Sequence, residues 1–238
     1  MAALVLATCL AWGQSSRAQI LRWDNGQVIP GAEGITPGPG VNLSGWNTEG
    51  HRLSWADLTG GLDLTGANLS HSWFESAHLD FATLVDANIA ATFLYNASLT
   101  NANLERSNLT EAGLFYTDLT NANLAEADLR NAYCEWPNLH SANLAGALIT
   151  GIRFYTGFNG TPDQFYSTAS YQTKDLHGVA IPFSNLSGWD FSGQNLTGAD
   201  LSYAALNIAK LSGANLTDAN LKSSNLTNSN LSGSNLAG

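Results

Sequence analysis

The residues that could carry out chemistry are a few histidines and many hydroxyl side chains. The histidines are His51, His71, His78, His140 and His177. No two of them have the spacing of metal ligands on one element, so the sequence predicts no metal site. Serine and threonine are abundant, but none stands in a Ser-His-Asp arrangement or a nucleophile elbow, and no phosphate-binding glycine loop is present. We therefore expect neither an enzyme nor a bound cofactor.

One group of carboxylates has a regular spacing that could bring its members together. Asp86, Arg106 and Glu126 follow one another at intervals of 20 residues, and Glu105 adjoins Arg106. A pair of neighbouring carboxylates is the pattern of a glycosidase. A solvated patch with a surface ion pair explains the same residues more simply, and we favour it. Whether these side chains meet depends on the elements that carry them.

A five-residue repeat dominates the chain. Every fifth residue from Leu99 to Leu129 is leucine, and two residues before each leucine stands a small residue, usually alanine. In an α-helix five residues turn ~500°, so these leucines would define no face. In a plain strand they would alternate between the two sides. A chain that turns a corner after each pentapeptide keeps all of them inside, which predicts a β-solenoid with leucine and alanine in its core.

The repeat keeps its register over most of the sequence. We call the central residue i and the small residue i−2; no central residue from Leu64 to Phe154 or from Leu176 to Leu236 is polar. The pattern A-(N/D)-L-x-x resembles the pentapeptide-repeat family. This resemblance implies an all-β, right-handed quadrilateral β-helix with four repeats per coil, with i and i−2 inside and i−1, i+1 and i+2 in solvent. The pattern departs from a small residue at some i−2 positions, where the local shape of the coil stays open: Ser72, Thr92, Pro137, Ile152, Lys174 and Trp189.

Composition restricts the partners of such a solenoid. Only 12% of the residues are charged, and 9 basic against 19 acidic side chains leave a net charge of −10. So acidic a chain is not expected to bind nucleic acid directly, because phosphate binding needs lysine and arginine. Of the two cysteines, Cys9 lies near the N-terminus and Cys134 stands at a central position, where it should be buried. No disulfide framework follows.

The N-terminal residues suggest export. Residues 1–18 have an apolar run that is too short to span a bilayer, followed by Ser16-Arg17-Ala18, a plausible cleavage site for a signal peptidase. No basic segment precedes the run, and a disordered apolar N-terminus is the alternative interpretation. We predict a signal peptide over 1–18, no transmembrane segment, and an exported bacterial protein in the periplasm, on the cell surface or secreted.

The rest of the chain divides into a cap and two repeat blocks. Residues 19–42 are rich in proline and glycine, and we interpret them as an irregular N-terminal cap in which Trp23, Val28 and Ile29 cover the first coil. A mobile linker is the alternative. Residues 43–154 form the first block, with a one-residue bulge at Gly60-Gly61, and residues 174–238 form the second.

An insertion over 155–173 interrupts the register between the two blocks. Within it, Thr161, Pro162 and Gln164 stand where an N-cap, an N1 proline and the reciprocal partner of a capping box would stand. The spacing predicts a short helix from Pro162 to about Ser170.

Aromatic residues are concentrated on one predicted face. If four repeats make a coil, residues 20 apart stack on one another. All aromatic residues between Leu64 and Thr156 except Phe81 then fall in repeats centred on residues 74, 94, 114, 134 and 154. Leu53 joins them once the bulge is allowed for. We call the outward-facing set the aromatic face, a candidate interaction site: Trp55, Trp73, Phe93, Tyr95, Phe115, Tyr116, Tyr133, Trp136 and Tyr155.

Three interpretations of the aromatic face compete. The insertion, which carries Phe158, Phe165, Tyr166 and Tyr171, could fold back and cover it. The face could instead be an interface with a second copy or another protein, since exposed apolar surface of this size is unusual on a monomer. It could also stack on sugar rings or another extracellular polymer.

These observations favour a non-enzymatic, exported solenoid that acts as a structural module or binds a protein or an extracellular polymer. Homo-oligomers could form through the aromatic face or through open solenoid ends. The alternative follows from the resemblance, because some pentapeptide-repeat proteins mimic DNA and bind type II topoisomerases in the cytoplasm. The net charge of −10 is compatible with that alternative.

Overall fold

A computed structural model describes residues 20–22, 25–29, 35, 37–43, 53–58 and 61–238. The predicted signal peptide, Cys9, Trp23 and Gly60 lie outside these residues.

The described chain winds into a solenoid whose successive coils pair in parallel. Backbone bridges join residues 20 apart, as in Asn103 with Asn123. At each such step the chain makes two hydrogen bonds: Leu104 N–H donates to the Asn123 carbonyl at 2.7 Å, and Asn123 N–H donates to the Ala102 carbonyl at 2.9 Å. The central leucines and the i−2 alanines fill the shaft, where Leu104 is 0% and Ala102 1% exposed. The predicted four-repeat coil is confirmed.

Regular elements are few because each pentapeptide contributes only a bridge and a turn. In the described residues four strands of two residues occur: β1 (Leu21–Arg22), β2 (Ala56–Asp57), β3 (Tyr133–Cys134) and β4 (Arg153–Phe154). β3 and β4 pair in parallel as neighbouring coils, whereas β1 pairs antiparallel with β2. Near β1, Ile20 and Ile29 are buried against the first coils, and Val28 packs beside them.

The corners of the coil impose an unusual backbone. The residue at i+2 has a positive φ in pentapeptide after pentapeptide, at Gly146 and Gly151 and also at non-glycine residues such as Asn121. This left-handed conformation suits glycine and asparagine and disfavours bulky side chains. The outer surface therefore carries many small or amide side chains, and asparagines join along it, as where Asn108 Nδ2 donates to Asn88 Oδ1 at 3.1 Å.

The insertion forms part of an enlarged coil. Arg153 bridges Ala180, 27 positions further on, where the bridges from Asp63 to Asp128 span 20. The extra residues form two short helices, α1 (Pro162–Tyr166) and α2 (Ala169–Gln172). The capping box at Thr161 and Gln164 is present. The predicted single helix is divided because Thr168 caps a second one.

Two irregular i−2 residues lie in or next to the wider coil, and they are accommodated in different ways. Trp189, at an i−2 position, is 7% exposed and lies 5.4 Å from the Phe165 ring and 6.1 Å from the Phe158 ring, measured between centroids. Lys174, another irregular i−2 residue, has a positive φ and an exposed side chain instead of an inward one. At Ser72 and Thr92 the coil is regular, because each buried hydroxyl donates to a backbone carbonyl.

Candidate interaction face

A continuous column of bridges forms the backbone of the aromatic face. Position i−1 of this face runs through consecutive parallel bridges over the residues Trp73, Phe93, Gly113, Tyr133 and Arg153. Such columns hold neighbouring side chains about 4.8 Å apart. The predicted alignment of the rings therefore follows from backbone hydrogen bonding and not from ring contacts alone.

The rings in the first coils of the face contact one another. Phe93 lies at the centre, with its centroid 4.9 Å from that of Trp73, 6.1 Å from Tyr95 and 6.0 Å from Phe115. Gly113 interrupts the column, and the Phe115 ring occupies the space above it, since a Cβ added at Gly113 would lie 3.2 Å from that ring. The cluster therefore forms one packed apolar surface.

The predicted residues differ in exposure. Tyr95 is 38%, Tyr116 47%, Trp136 58% and Tyr155 45% exposed. The other predicted members of the face are half-buried: Trp55, Trp73, Phe93, Phe115 and Tyr133. The four exposed rings stand at i+1 and i+2, whereas three of the half-buried ones, Trp73, Phe93 and Tyr133, stand at i−1.

Trp55 extends the face toward the N-terminal end of the solenoid. Leu53 N–H donates to the Trp73 carbonyl and Trp55 N–H to the Glu75 carbonyl, both at 2.9 Å. These bonds stack Leu53 directly on the coil of the aromatic face, as the bulge predicted. The Arg22 guanidinium lies 5.9 Å from the Trp55 ring centroid, within cation–π range.

Two aromatic residues of the second block also belong to this face, and sequence reasoning missed them. The bridge from Arg153 to Ala180 places Phe183 and Tyr203 in the same i+2 column as Tyr116 and Trp136. Their rings stack with centroids 4.9 Å apart and planes 7° apart, and they are 61% and 47% exposed. The 27-residue step through the insertion, which the structure reveals, is what aligns them with the first block. We call the aromatic face with these two residues the extended aromatic face.

The insertion packs into the shaft and not over the face. Its Phe165 is 1% exposed, and the Phe158 ring lies 5.1 Å from the ring of the central residue Phe154. The Tyr166 hydroxyl accepts a hydrogen bond from Asp190 N–H at 2.8 Å, and the Tyr171 hydroxyl donates to the Asp190 carbonyl at 2.6 Å. Burial raises the pKa of Tyr171 to about 12, so this hydroxyl stays a donor. The aromatic residues of the insertion therefore join the core.

Charged residues flank the rings on the same face. The Arg153 guanidinium stacks 4.8 Å from the Tyr133 ring centroid. Three further charged residues stand in the i+1 column of this face. Glu75 and Glu135 lie in coils before that of Arg153, and Lys222 lies in a later coil near the C-terminal end. Within the described part of the chain, none of these four residues forms an ion pair.

The carboxylate group around Arg106 lies on a different face. Arg106 Nε donates to Asp86 Oδ1 at 2.9 Å, and its other nitrogens contact Asp86 and Glu105. The hydrogen bond from Arg106 holds the pKa of Asp86 below its usual value. The surface ion pair that we favoured is present, and both side chains of the pair are well exposed.

Few other groups suggest chemistry. Over the described residues, no three histidine, cysteine, aspartate or glutamate side chains are placed to share a metal ion. Cys134 is buried, and burial raises the pKa of its thiol, so the thiolate is disfavoured. No helix in the described ranges is both long and apolar enough to cross a membrane.

Comparison with known proteins identifies the family. A family model described as pentapeptide repeats matches the chain in 8 copies, over residues 63–101, 94–114, 117–154, 175–213 and 208–238. The chain belongs to the pentapeptide-repeat family. No curated protein matches it.

Solved pentapeptide-repeat structures are similar over different extents. Rfr23 from the cyanobacterium Cyanothece 51142 is 35% identical over 38% of this chain and 62% of its own, less than two thirds of its length, with a TM-score of 0.38. HetL, involved in heterocyst differentiation regulation in Nostoc sp. strain PCC 7120, is 28% identical over 85% of this chain and 83% of its own, with a TM-score of 0.29. QnrB1, a plasmid-mediated fluoroquinolone resistance protein, is 15% identical over 84% and 85%, with a TM-score of 0.41.

Proposed function

We propose that this pentapeptide-repeat protein is a non-enzymatic interaction module that binds a macromolecular partner through its extended aromatic face. The observation that carries the proposal is the placement of bulky rings at the i+2 corners. The aromatic residues with positive φ are Trp55, Phe81, Tyr116, Trp136, Phe183 and Tyr203. Five of these six stand on the extended aromatic face, the exception being Phe81. A bulky residue in the left-handed region costs about 1–3 kcal/mol, and such costs concentrate at functional sites.

The proposal includes a location and a partner class. The leader-like residues 1–18 support export, and an exported module would meet a protein or an extracellular polymer there. We also propose that the solenoid winds in the right-handed sense, as the family resemblance implies. Fractionation tests the location: a mature chain that begins near Gln19 outside the cytoplasm is expected. A full-length chain retained in the cytoplasm would favour the topoisomerase-binding alternative instead.

Site-specific photo-crosslinking tests the binding face. A benzophenone amino acid at Tyr116 should capture the partner, because the side chain is 47% exposed among other rings. Phe81 is the matched control, since it is also aromatic, stands at i+2 with a positive φ of 61°, is 61% exposed, and lies on another face. Adducts are expected from Tyr116 in the native fraction and not from Phe81. Equal adducts from both positions, or none from Tyr116, would refute the proposed binding face.

A further inference from the structure

We propose that the extended aromatic face binds a neutral polysaccharide, and that one sugar ring of this polymer inserts between Trp136 and Phe183. The inference rests on the proposed function, because it names the class of partner and the point of contact on the same face. It is carried by a gap in the i+2 column and by the polar groups that stand beside the gap.

The i+2 column shows how its rings stack. Phe183 and Tyr203 stand one coil apart, and their planes differ by only 7° at a centroid distance of 4.9 Å. This distance is close to the rise of one coil step, about 4.8 Å. Rings on successive coils of this column therefore lie face to face. Tyr203 covers one face of the Phe183 ring, and the other face is turned toward the preceding coil.

The preceding coil leaves a gap in this column. The backbone bridges place Trp136 two coil steps before Phe183, with Thr156 on the coil between them. Two steps amount to about 9.6 Å. Thr156 does not fill this distance, because its hydroxyl accepts a hydrogen bond from the Trp136 backbone N–H at 3.1 Å and its short side chain is held against the backbone. We call the space between the two rings the aromatic slot.

The aromatic slot has room for one further ring. A ring placed midway lies about 4.8 Å from each wall, within the range of about 4.5–7 Å over which stacked rings attract one another. Both walls are accessible, since Phe183 is 61% and Trp136 58% exposed. Among the described residues, the Trp136 ring contacts neither another ring nor a cation. The slot therefore suits a ring whose two faces are both apolar.

Polar groups without intramolecular partners stand beside the aromatic slot. Arg153 lies on the middle coil; its guanidinium stacks on Tyr133, but in the described chain it donates no hydrogen bond, and its Nη1 atom is buried without an acceptor. The Tyr155 hydroxyl on the same coil and the Glu135 carboxylate one coil earlier also form no side-chain hydrogen bond with any described residue. Unpaired groups of this kind are exceptions in folded proteins, and a ligand rich in hydroxyl groups would pair with them.

A pyranose ring matches both features. Its two faces carry C–H groups, which stack on aromatic rings, and its edge carries hydroxyl groups. A sugar in the aromatic slot would direct its edge toward Tyr155. Arg153 stands three residues before Thr156, a span of at most about 10 Å, so the next sugar unit of a chain would reach the guanidinium. The arrangement therefore favours a polymer over a single sugar.

The charges beside the aromatic slot favour a neutral polymer. Arg153 and Glu135 together carry no net charge, and they would donate to and accept from sugar hydroxyls. The chain as a whole has a net charge of −10, which repels polyanions. An aromatic side chain of a protein partner would also fill the slot, but its edge has no row of hydroxyl groups to pair with these residues.

A glycan array probed with the full chain tests the class of ligand. We expect binding to neutral polysaccharides of pyranose units and little binding to polyuronates or sulfated polymers. Raising the salt concentration from about 0.05 to about 0.5 M should change the dissociation constant less than about twofold, because salt screens only interactions between charges. Binding to acidic polymers alone, or to no neutral polysaccharide, would overturn the inference.

Replacement of the slot walls tests the position of the sugar, with calorimetric titration of the best oligosaccharide from the array as the readout. Trp136→Gly and Phe183→Gly should each weaken binding at least about tenfold, because each removes one stacking surface. Phe81→Gly is the matched control and should change nothing, since Phe81 has the same corner conformation and an exposed ring on another face. Circular dichroism verifies that each variant is folded. Unchanged binding by both slot variants would refute the aromatic slot.

Neutralising Arg153 tests the polar side of the site. Arg153→Gln should weaken binding about tenfold, because the shorter side chain no longer reaches the neighbouring sugar. Arg130→Gln removes the same charge from another face, where Arg130 pairs with Asp128, and should leave binding unchanged. Equal losses in the two variants would show that overall charge, and not the placed guanidinium, governs binding.

The outcomes separate this inference from the proposed function. If a benzophenone at Tyr116 captures a protein while the array shows no neutral polysaccharide, the binding face stands and the sugar inference fails. If the array is empty and Tyr116 captures nothing, both proposals fail. Binding that depends on Trp136 and not on Phe81 supports both.

Discussion

At the corner position i+2 the backbone conformation suits small residues, yet several bulky rings stand there and are exposed. At Trp136 the backbone has a φ of 51°, and the ring is 58% exposed. At the same position of another face Gly146 adopts the conformation without strain. Stability alone would favour glycine or asparagine at every such corner. Bulky rings there contribute to the surface and not to the fold.

Replacing Trp136 by glycine should therefore not destabilise the chain. We expect the free energy of unfolding to stay the same or to rise by up to about 1 kcal/mol, because relief of strain offsets the entropy that glycine loses. Leu119→Ala, at a buried central position three repeats earlier, should instead lower it by about 2–5 kcal/mol. Urea unfolding at low protein concentration measures both. A loss at Trp136 as large as at Leu119 would place this ring in the core.

Acid should unfold the chain through its surface aspartates. The Ser192 backbone N–H donates to Asp190 Oδ1 at 2.9 Å and holds the pKa of Asp190 below its ordinary value of 3.8. The unfolded chain therefore takes up this proton first as the pH falls. The contribution to stability is complete above pH 3.8 and is lost as the pH falls through the lower, folded pKa.

The melting temperature should accordingly fall below about pH 4, where Asp63, Asp86 and Asp175, whose pKa values are also lowered, lose their contributions too. Asp190→Asn should reduce the slope of melting temperature against pH in this range. Equal slopes for the variant and the wild type would contradict the role given to Asp190.

Among the elements, the enlarged coil shows how the solenoid accepts an irregular sequence. Helices α1 and α2 join the coils on either side through side chains as well as backbone. Gln164 Nε2 donates to the carbonyls of Leu139 and Ala142 at 2.9 and 2.8 Å, and Gln194 Nε2 donates to the Tyr171 carbonyl at 3.0 Å. The insertion is thus held to both neighbours, and its extra space is filled by aromatic rings.

Position 189 should accept tryptophan because the insertion leaves space beside it. The equivalent position one coil later, Ala209, should not. Trp189→Ala should cost about 3–5 kcal/mol, because it leaves a cavity among Phe158, Phe165 and Phe191. Ala209, at the same i−2 position one coil later, is 1% exposed in a coil of ordinary size. Ala209→Trp should therefore destabilise the chain by overpacking, by about 1–3 kcal/mol or more. Thermal unfolding of both variants measures this, and a neutral Ala209→Trp would show that coil width does not limit side-chain size.

At the scale of the whole molecule, most of the fold could be predicted because the repeat is strict. A central leucine every five residues determines which side chains are buried, and the aromatic residues alone revealed the coil of 20. The site could be predicted only as far as the register continued. Past Phe154 the insertion changes the coil length, and no sequence period tells how many residues a helix-containing coil uses. Phe183 and Tyr203 were missed for that reason.

The division of the insertion into two helices could not be predicted either. Thr168 serves as a second N-cap, and its side chain accepts from Tyr171 N–H at 3.3 Å. The same residue is compatible with the interior of one longer helix. Packing against Trp189 and Phe191 decides between these possibilities, and those residues lie beyond the segment in the sequence.

The unbroken column from Trp73 to Asn220 has a practical consequence. Because each bridge adds a nearly constant rise, the number of coils between two residues gives their separation along the axis. The solenoid can thus serve as a calibrated scaffold for distance measurements. Pairs of spin labels on one wall would report distances in steps of about 4.8 Å, and a second set of distances between molecules would read out the alignment of any pair that forms.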